Sequence, residues 1–289
     1  MKSTKYCMEQ KVGAFYSLVF VFAFFFLSIS SAVSQEKVKI TILHTNDTHS
    51  QVEPAGKNNM GGYARRMGVV NQIRAEEKNV LLLDAGDYWQ GTPYFNFFNG
   101  RIEIDAMNRM KYDVATLGNH EFDNGLDTMF AVLKEAEFPI VSSNYVFESA
   151  GLENLIKPYF MLEIDDVRIG IMALNVNPEG LIAQSNYRGM VYLDPIVVAK
   201  EMSEFLKKEK GCDLIVCLSH LGADSNKTKV TDFDIVRATK HIDVIIGGHS
   251  HQIIENTTEK NLDGREIIIA QMGKSGLYIG RIDLELEKK

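Results

Sequence analysis

The chain has 289 residues, 45% hydrophobic and 24% charged, an ordinary globular composition large enough to bury a sizeable core. Its formal charge of −7 argues against general polyanion binding, nucleic acid included. Any phosphate it handles has to be met by metal ions rather than by a basic patch.

In chain order, Lys2, Lys5 and Lys11 precede an apolar stretch from Val12 to Ile29, and small or polar residues follow from Ser30 to Gln35. Basic, then apolar, then small is the pattern of a secretory signal peptide. Ala32 and Ser34 fill the −3 and −1 positions, which places cleavage before Gln35. The expectation is a signal peptide over residues 1–34 and an exported, periplasmic or extracellular, domain over 35–289. The competing reading is an uncleaved apolar helix that anchors the chain in a membrane. Cleavage would remove three lysines and Glu9 and take the charge from −7 to −9. Cys7 precedes the apolar run, so a lipid anchor there is not expected. Cys212 and Cys217 bracket one predicted strand at a separation of roughly 16 Å, too far for a disulfide, so both read as buried thiols.

Five apolar, β-branched runs then each lead into a short polar cluster. Val38–Leu43 leads to Asp47-Thr48-His49, Val80–Leu83 to Gly86-Asp87, and Asp113–Leu117 to Gly118-Asn119-His120-Glu121. Leu214–Leu218 leads to His220, and Ile242–Ile246 to Gly247-Gly248-His249-Ser250-His251. Between them, helices are predicted at Gly62–Glu77, Ile102–Met110, Gly125–Glu135, Pro195–Lys208 and Asp232–Thr239. A hairpin turning at Asp165-Asp166 joins Tyr159–Ile164 to Val167–Ala173. Two more strands lie between Glu266 and Leu286, separated by Gly273–Gly276. Helical crossovers between apolar strands give an α/β fold. The strand count exceeds one doubly wound sheet, so two packed sheets flanked by helices are expected in a single domain.

The clusters hold the ligand types of a hydrolytic dinuclear centre: carboxylate, imidazole and amide oxygen at strand ends. Two metals about 3.5–4 Å apart need a bridging carboxylate. In an extended segment, residues two apart point the same way, so Asp47 with His49, and His249 with His251, are each expected to reach one site. A lone Asp-x-His or Gly-Asp is weak; all five clusters in this order are specific.

That order resembles the calcineurin-like metallophosphoesterase superfamily. Leu43–His49, Gly118–Asp123 and Gly61-Gly62-Tyr63-Ala64-Arg65 resemble its 5′-nucleotidase branch. The resemblance covers residues 38–287 and implies a four-layer α/β/β/α sandwich, with two mixed sheets packed face to face. It implies that Asp47, His49 and His251 bind one divalent ion, that Asn119, His220 and His249 bind the other, and that Asp87 bridges. The ions could be Zn, Mn, Fe or Co. The activity implied is hydrolysis of a phosphomonoester, foremost a 5′-nucleotide, by a metal-bound hydroxide. Asn119 and His120 would contact substrate, and His120, oriented by Asp123, would assist the leaving alkoxide. Asp123 has a second reading as a cap for the helix starting near Asn124, and the two roles are compatible. Phosphodiester cleavage, including 2′,3′-cyclic nucleotides, is the alternative activity.

The 5′-nucleotidase branch usually carries a C-terminal domain for nucleotide specificity, which these 289 residues do not contain. A separate chain supplying it, a different phosphoester, broad specificity and a fragment all stand as explanations. Other residues carry bland readings. His44 reads as a core or supporting histidine, and His241 as complementing a helix dipole. Arg65 and Arg66 read as a solvated helix face, and Glu121 is given no role. Trp89, Tyr94, Phe95, Phe97 and Phe98 read as core packing or a lid, against nucleobase stacking. The Asn46 glycosylation sequon is discounted because modification there would block Asp47.

Overall fold

The computed structural model describes residues 36–55, 58–148, 150–226 and 228–287. The expected signal or anchor over residues 1–34, and Cys7, lie outside the described residues.

In chain order the strands are β1 (Lys37–Thr45), β2 (Val80–Asp84), β3 (Val114–Thr116), β4 (Ile140–Val141), β5 (Tyr145–Phe147), β6 (Ile156–Lys157) and β7 (Tyr159–Ile164). They continue as β8 (Val167–Asn175), β9 (Met190–Tyr192), β10 (Leu214–His220), β11 (Val244–Gly247), β12 (Ile253–Lys260), β13 (Glu266–Met272) and β14 (Gly280–Glu287). They form one six-stranded sheet in the order β14-β1-β2-β3-β4-β6, a second in the order β12-β13-β11-β10-β8-β7, and a small β5-β9 ribbon. Each large sheet has a parallel centre. β14 is antiparallel on β1, and β12 and β7 are antiparallel at the edges of the second sheet. These are the two mixed sheets expected.

Three apolar layers hold the sandwich together. Val38, Ile40 and Ile42 alternate along β1 and meet Ile169, Ile171, Val216 and Ile246 between the sheets. The outer face of the first sheet packs on helices α1 (Tyr63–Glu76), α2 (Pro93–Phe98), α3 (Arg101–Met110) and α4 (Gly125–Leu133), with Leu43, Leu82, Ile104, Met107 and Met129 in that layer. After the short α5 (Ala150–Leu155), helices α6 (Pro195–Lys208) and α7 (Asp232–Ala238) cover the second sheet through Val198, Leu206, Ile215, Ile235 and Ile245. Each fully buried aliphatic side chain contributes about 1.5–3 kcal/mol. The result is the four-layer α/β/β/α sandwich.

Local chemistry sets the element ends. Asp194 caps α6 by accepting from Ile196 N and Val197 N, with Pro195 in the first turn, a good start because proline has no N–H to leave unpaired. Thr231 and Asp234 form a capping box on α7. The predicted hairpin turns at Asp165 and Asp166, whose φ values of 48° and 70° are the left-handed pair that a tight β-turn requires. Cys212 and Cys217 are free and buried, as expected. Sequence reasoning places no strand at β12, whose sequence IIENTTEK leaves most positions exposed and so carries no alternating apolar signal. Among the described residues no helix is long and apolar enough to cross a membrane.

Candidate metal centre

All five polar clusters sit where parallel strands end. Asp47, Asp87 and Asn119 follow β1, β2 and β3 in the first sheet; His220 closes β10 and His249 follows β11 in the second. The loops are stitched together through the backbone. Asp47 N donates to Gly86 O at 2.9 Å, His49 N to Asp87 O at 3.0 Å and Ser50 N to Tyr88 O at 2.9 Å.

Strand alternation is not what brings the ligand pairs together, and this corrects the expectation from sequence. Asp47 and His49 lie beyond β1 with φ of 48° and 47°, and His249 and His251 beyond β11 with φ of 66° and 58°. Left-handed turns, not an extended backbone, aim these side chains inward. Such strain in non-glycine residues concentrates at functional sites.

Asp47, His49, Asp87 and His251 carry ligand atoms that all lie within 4.8 Å of one another. His49 Nε2 and His251 Nε2 face each other at 3.0 Å. Asp47 Oδ1 is 3.3 Å from His251 Nε2 and 3.9 Å from His49 Nε2. On the other side, His220 Nε2 lies 3.2 Å from Asp87 Oδ2, and His249 Nδ1 lies 2.9 Å from Asn119 Oδ1. His220 thus faces one carboxylate of the four-residue group, Asp87, and His249 N donates to another, Asp47.

This donor set fits a divalent cation. His220 Nδ1 is tied to Ala85 O at 2.7 Å, which turns the wholly buried Nε2 into the pocket, toward the Asp87 carboxylate. Burial opposes charge on His220, but Asp87 and Asp47 outweigh it and hold the ring protonated up to about 10. A bound cation would balance the same carboxylates. Close packing requires the glycines. A Cβ on Gly118 would land on Asp87 Oδ1, and one on Gly248 would lie 2.8 Å from His220 Nδ1.

His120 stands outside the four-residue group. It opens a short 3-10 turn (His120–Phe122), and its Nδ1 pairs with Asp123 Oδ2 at 2.9 Å, so Nε2 is the ring nitrogen that Asp123 does not engage. Burial works to lower its pKa, but the Asp123 hydrogen bond and the Asp87 charge raise it to about 9. The N-cap position of α4 falls to Asn124, without a side-chain cap bond, so Asp123 is not that helix's cap.

A family model for calcineurin-like phosphoesterases matches residues 40–253. The chain belongs to that family. It is 32% identical to the snake venom 5′-nucleotidase of Crotalus adamanteus over 286 residues, covering 89% of this chain and 47% of that protein. It is 29% identical to the trifunctional nucleotide phosphoesterase protein of Bacillus subtilis over 282 residues, covering 86% of this chain and 18% of that protein. Among solved structures, a 5′-nucleotidase precursor from Thermus thermophilus aligns with a TM-score of 0.78 at 32% identity, over 86% of this chain and 51% of that one. The chain thus spans about half the length of the snake venom protein and of the Thermus chain.

Two residues of this phosphoesterase domain that sequence reasoning left without a role turn out to organise the site. Glu121, fully buried, accepts from Asp87 N at 3.0 Å, Trp89 N at 3.1 Å and Gly118 N. Asn46 donates to Asp47 Oδ2 at 2.6 Å and to Gly273 O at 2.8 Å, and accepts from Met272 N at 2.7 Å. It thereby ties the end of β1 to the end of β13 across the two sheets. Its amide is consumed in that clamp, consistent with discounting the sequon. Neither role has a sequence signal beyond a place in or beside a motif.

Arg66 is a further correction. It is buried at 3% exposure beneath Gly276, not on a solvated face. His44 is buried, as read. Trp89 and Phe95 join the core, whereas Phe97 is 78% exposed.

Proposed function

We propose that this domain is an exported two-metal phosphoesterase that hydrolyses phosphomonoesters, 5′-nucleotides foremost. The observation that carries the reading is the convergence of Asp47, His49, Asp87 and His251 ligand atoms within 4.8 Å, beside a histidine held by a carboxylate. Asp47, His49 and His251 would hold one ion, Asn119, His220 and His249 the other, with Asp87 between them. Zn, Mn, Fe and Co all suit such mixed ligands. When bound, the ions supply the positive charge that acidifies a water molecule and neutralises phosphoryl oxygens. Asn119 and His120 lie beside that position and contact the phosphoryl group. Asp123 fixes the tautomer and orientation of His120, whose Nε2–H donates its proton to the leaving alkoxide oxygen. The 5′-nucleotidase relatives support the choice of substrate class, and the basic-apolar-small N-terminus supports export of a domain beginning at Gln35.

A second reading is phosphodiester cleavage, since the phosphoesterase of the Bacillus subtilis relative's name covers monoesters and diesters alike. Rates on AMP and on a bis-aryl phosphate separate the two. Phosphate release from AMP that is lost in Asp87→Asn supports the monoesterase. Cleavage of the diester alone would replace it.

A further inference from the structure

We propose that Glu121 is a positioning residue for the metal centre, clamping the loops after β2 and β3 so that the Asp87 carboxylate is aimed at both ion sites. This rests on the reading of Asp87 as the residue between two metals. The clamp is reciprocal. Asp87 N donates to Glu121 Oε2 at 3.0 Å, while His120 N donates to Asp87 Oδ1 at 2.9 Å. Each loop's carboxylate is thus held by the other loop's backbone, across 34 positions of sequence in one direction and 33 in the other.

Glu121 also accepts from Trp89 N at 3.1 Å and from Gly118 N. Asp87 has a φ of 57°, a conformation a bulky L-residue holds only when its surroundings fix it. Two of the three N–H groups bound by Glu121, those of Asp87 and Trp89, lie in the loop that carries that residue. The identity of the side chain matters as much as its reach. Three donors converge on two oxygens, and an amide in this place would turn an NH₂ group toward a donor. Glu121, Asp87 and Asp47 are all essentially without solvent exposure. Three buried carboxylates in one pocket are costly unless a cation joins them. Metal-ligating carboxylates are held by hydrogen-bonding partners whose loss weakens metal binding about 10–100-fold.

Asp113 provides an internal control. Its carboxylate accepts from Leu82 N at 2.7 Å and so cross-links the same two strands at their opposite end. The experiment titrates the metal-depleted full chain with Mn²⁺ or Zn²⁺ against a chromophoric chelator, for wild type, Glu121→Gln and Asp113→Asn, with circular dichroism to confirm folding. The expected result is a loss of metal affinity of about 10–100-fold in Glu121→Gln with the spectrum retained, while Asp113→Asn loses thermal stability and keeps wild-type affinity. Wild-type affinity in Glu121→Gln, or equal losses in both variants, would overturn the proposal. If Glu121→Gln does not fold, Glu121→Asp decides in its place: the carboxyl group stays but the reach shortens, so weakened affinity supports the clamp and unchanged affinity overturns it. A wild-type chain that binds neither metal sinks the two-metal reading itself, and this inference with it.

Discussion

Asp47, His49, Asp87, His249 and His251 all adopt a left-handed backbone, each conformation costing of order 1–3 kcal/mol. Five such residues at one place are tolerated because their backbones are pinned from outside, as when Asp47 O accepts from Ser275 N at 2.7 Å. The side chains then divide the labour. Asp87 belongs to the converging ligand group, while His120 is held through Nδ1 by Asp123. Replacing them should therefore fail in different ways. His120→Ala is expected to lower kcat by about 10²–10⁴-fold with metal content unchanged, read by phosphate release alongside elemental analysis. Asp87→Asn is expected to lose metal and activity together; a fully active Asp87→Asn enzyme would contradict the bridging assignment. The identities of these residues were legible in sequence because imidazole and carboxylate at five strand ends admit few other uses. Their aim was not, because a φ near +50° at Asp47 leaves no mark in the letters around it.

At the scale of elements, strand and helix order follows from hydrophobic period. α6 begins and ends where the sequence places it, because Asp194-Pro195 starts it and its apolar face is regular. β12 and the two-residue β4 and β6 carry too few alternating residues to register. The burial of Arg66 escapes the sequence because α1 carries three arginines, Arg65, Arg66 and Arg74, and helical spacing alone does not say that the loop ending at Gly276 covers one of them. Beneath the ligand loops lies Asp84, buried, accepting from Gly86 N at 2.8 Å and from Thr45 Oγ1 at 2.5 Å. Burial raises its carboxyl to about 7. The folded state therefore keeps this proton where the unfolded chain has released it, so the stabilisation is present below about pH 4 and is lost as pH rises through 7. Asp84→Asn, which retains both bonds in outline, should flatten the stability curve between pH 4 and 7 by up to ~1.4 kcal/mol per pH unit, measured by urea unfolding at several pH values. An unchanged slope would show that Asp84 ionises freely in the fold.

At the scale of the molecule, the site exists only where two sheets meet. Asp47, His49, Asp87 and Asn119 come from the first sheet, and His220, His249 and His251 from the second. Asn46 and the Asp47 carboxylate, which accepts from His249 N at 3.1 and 3.0 Å, tie the halves together. Metal binding should then stabilise the whole fold, since a cation held by both sheets binds the native state alone. At a free metal concentration about a hundred times the dissociation constant the gain is ~2.7 kcal/mol, visible as a rise in Tm that a chelator reverses. That two sheets pack face to face was legible from the excess of apolar strands. Which residue joins them at the site was not, because Asn46 takes its role only from the positions of Met272 and Gly273, far away in sequence.

The central claim, that seven residues hold two ions beside a His120–Asp123 pair and cleave a nucleotide monoester, meets its most direct test in phosphate release from AMP. The chain is stripped of metal, assayed, and assayed again after Zn²⁺ or Mn²⁺ is restored, with His120→Ala in parallel. Release that appears only with metal and collapses in His120→Ala is the predicted result. Release that persists in the stripped chain, or that His120→Ala leaves untouched, would contradict it.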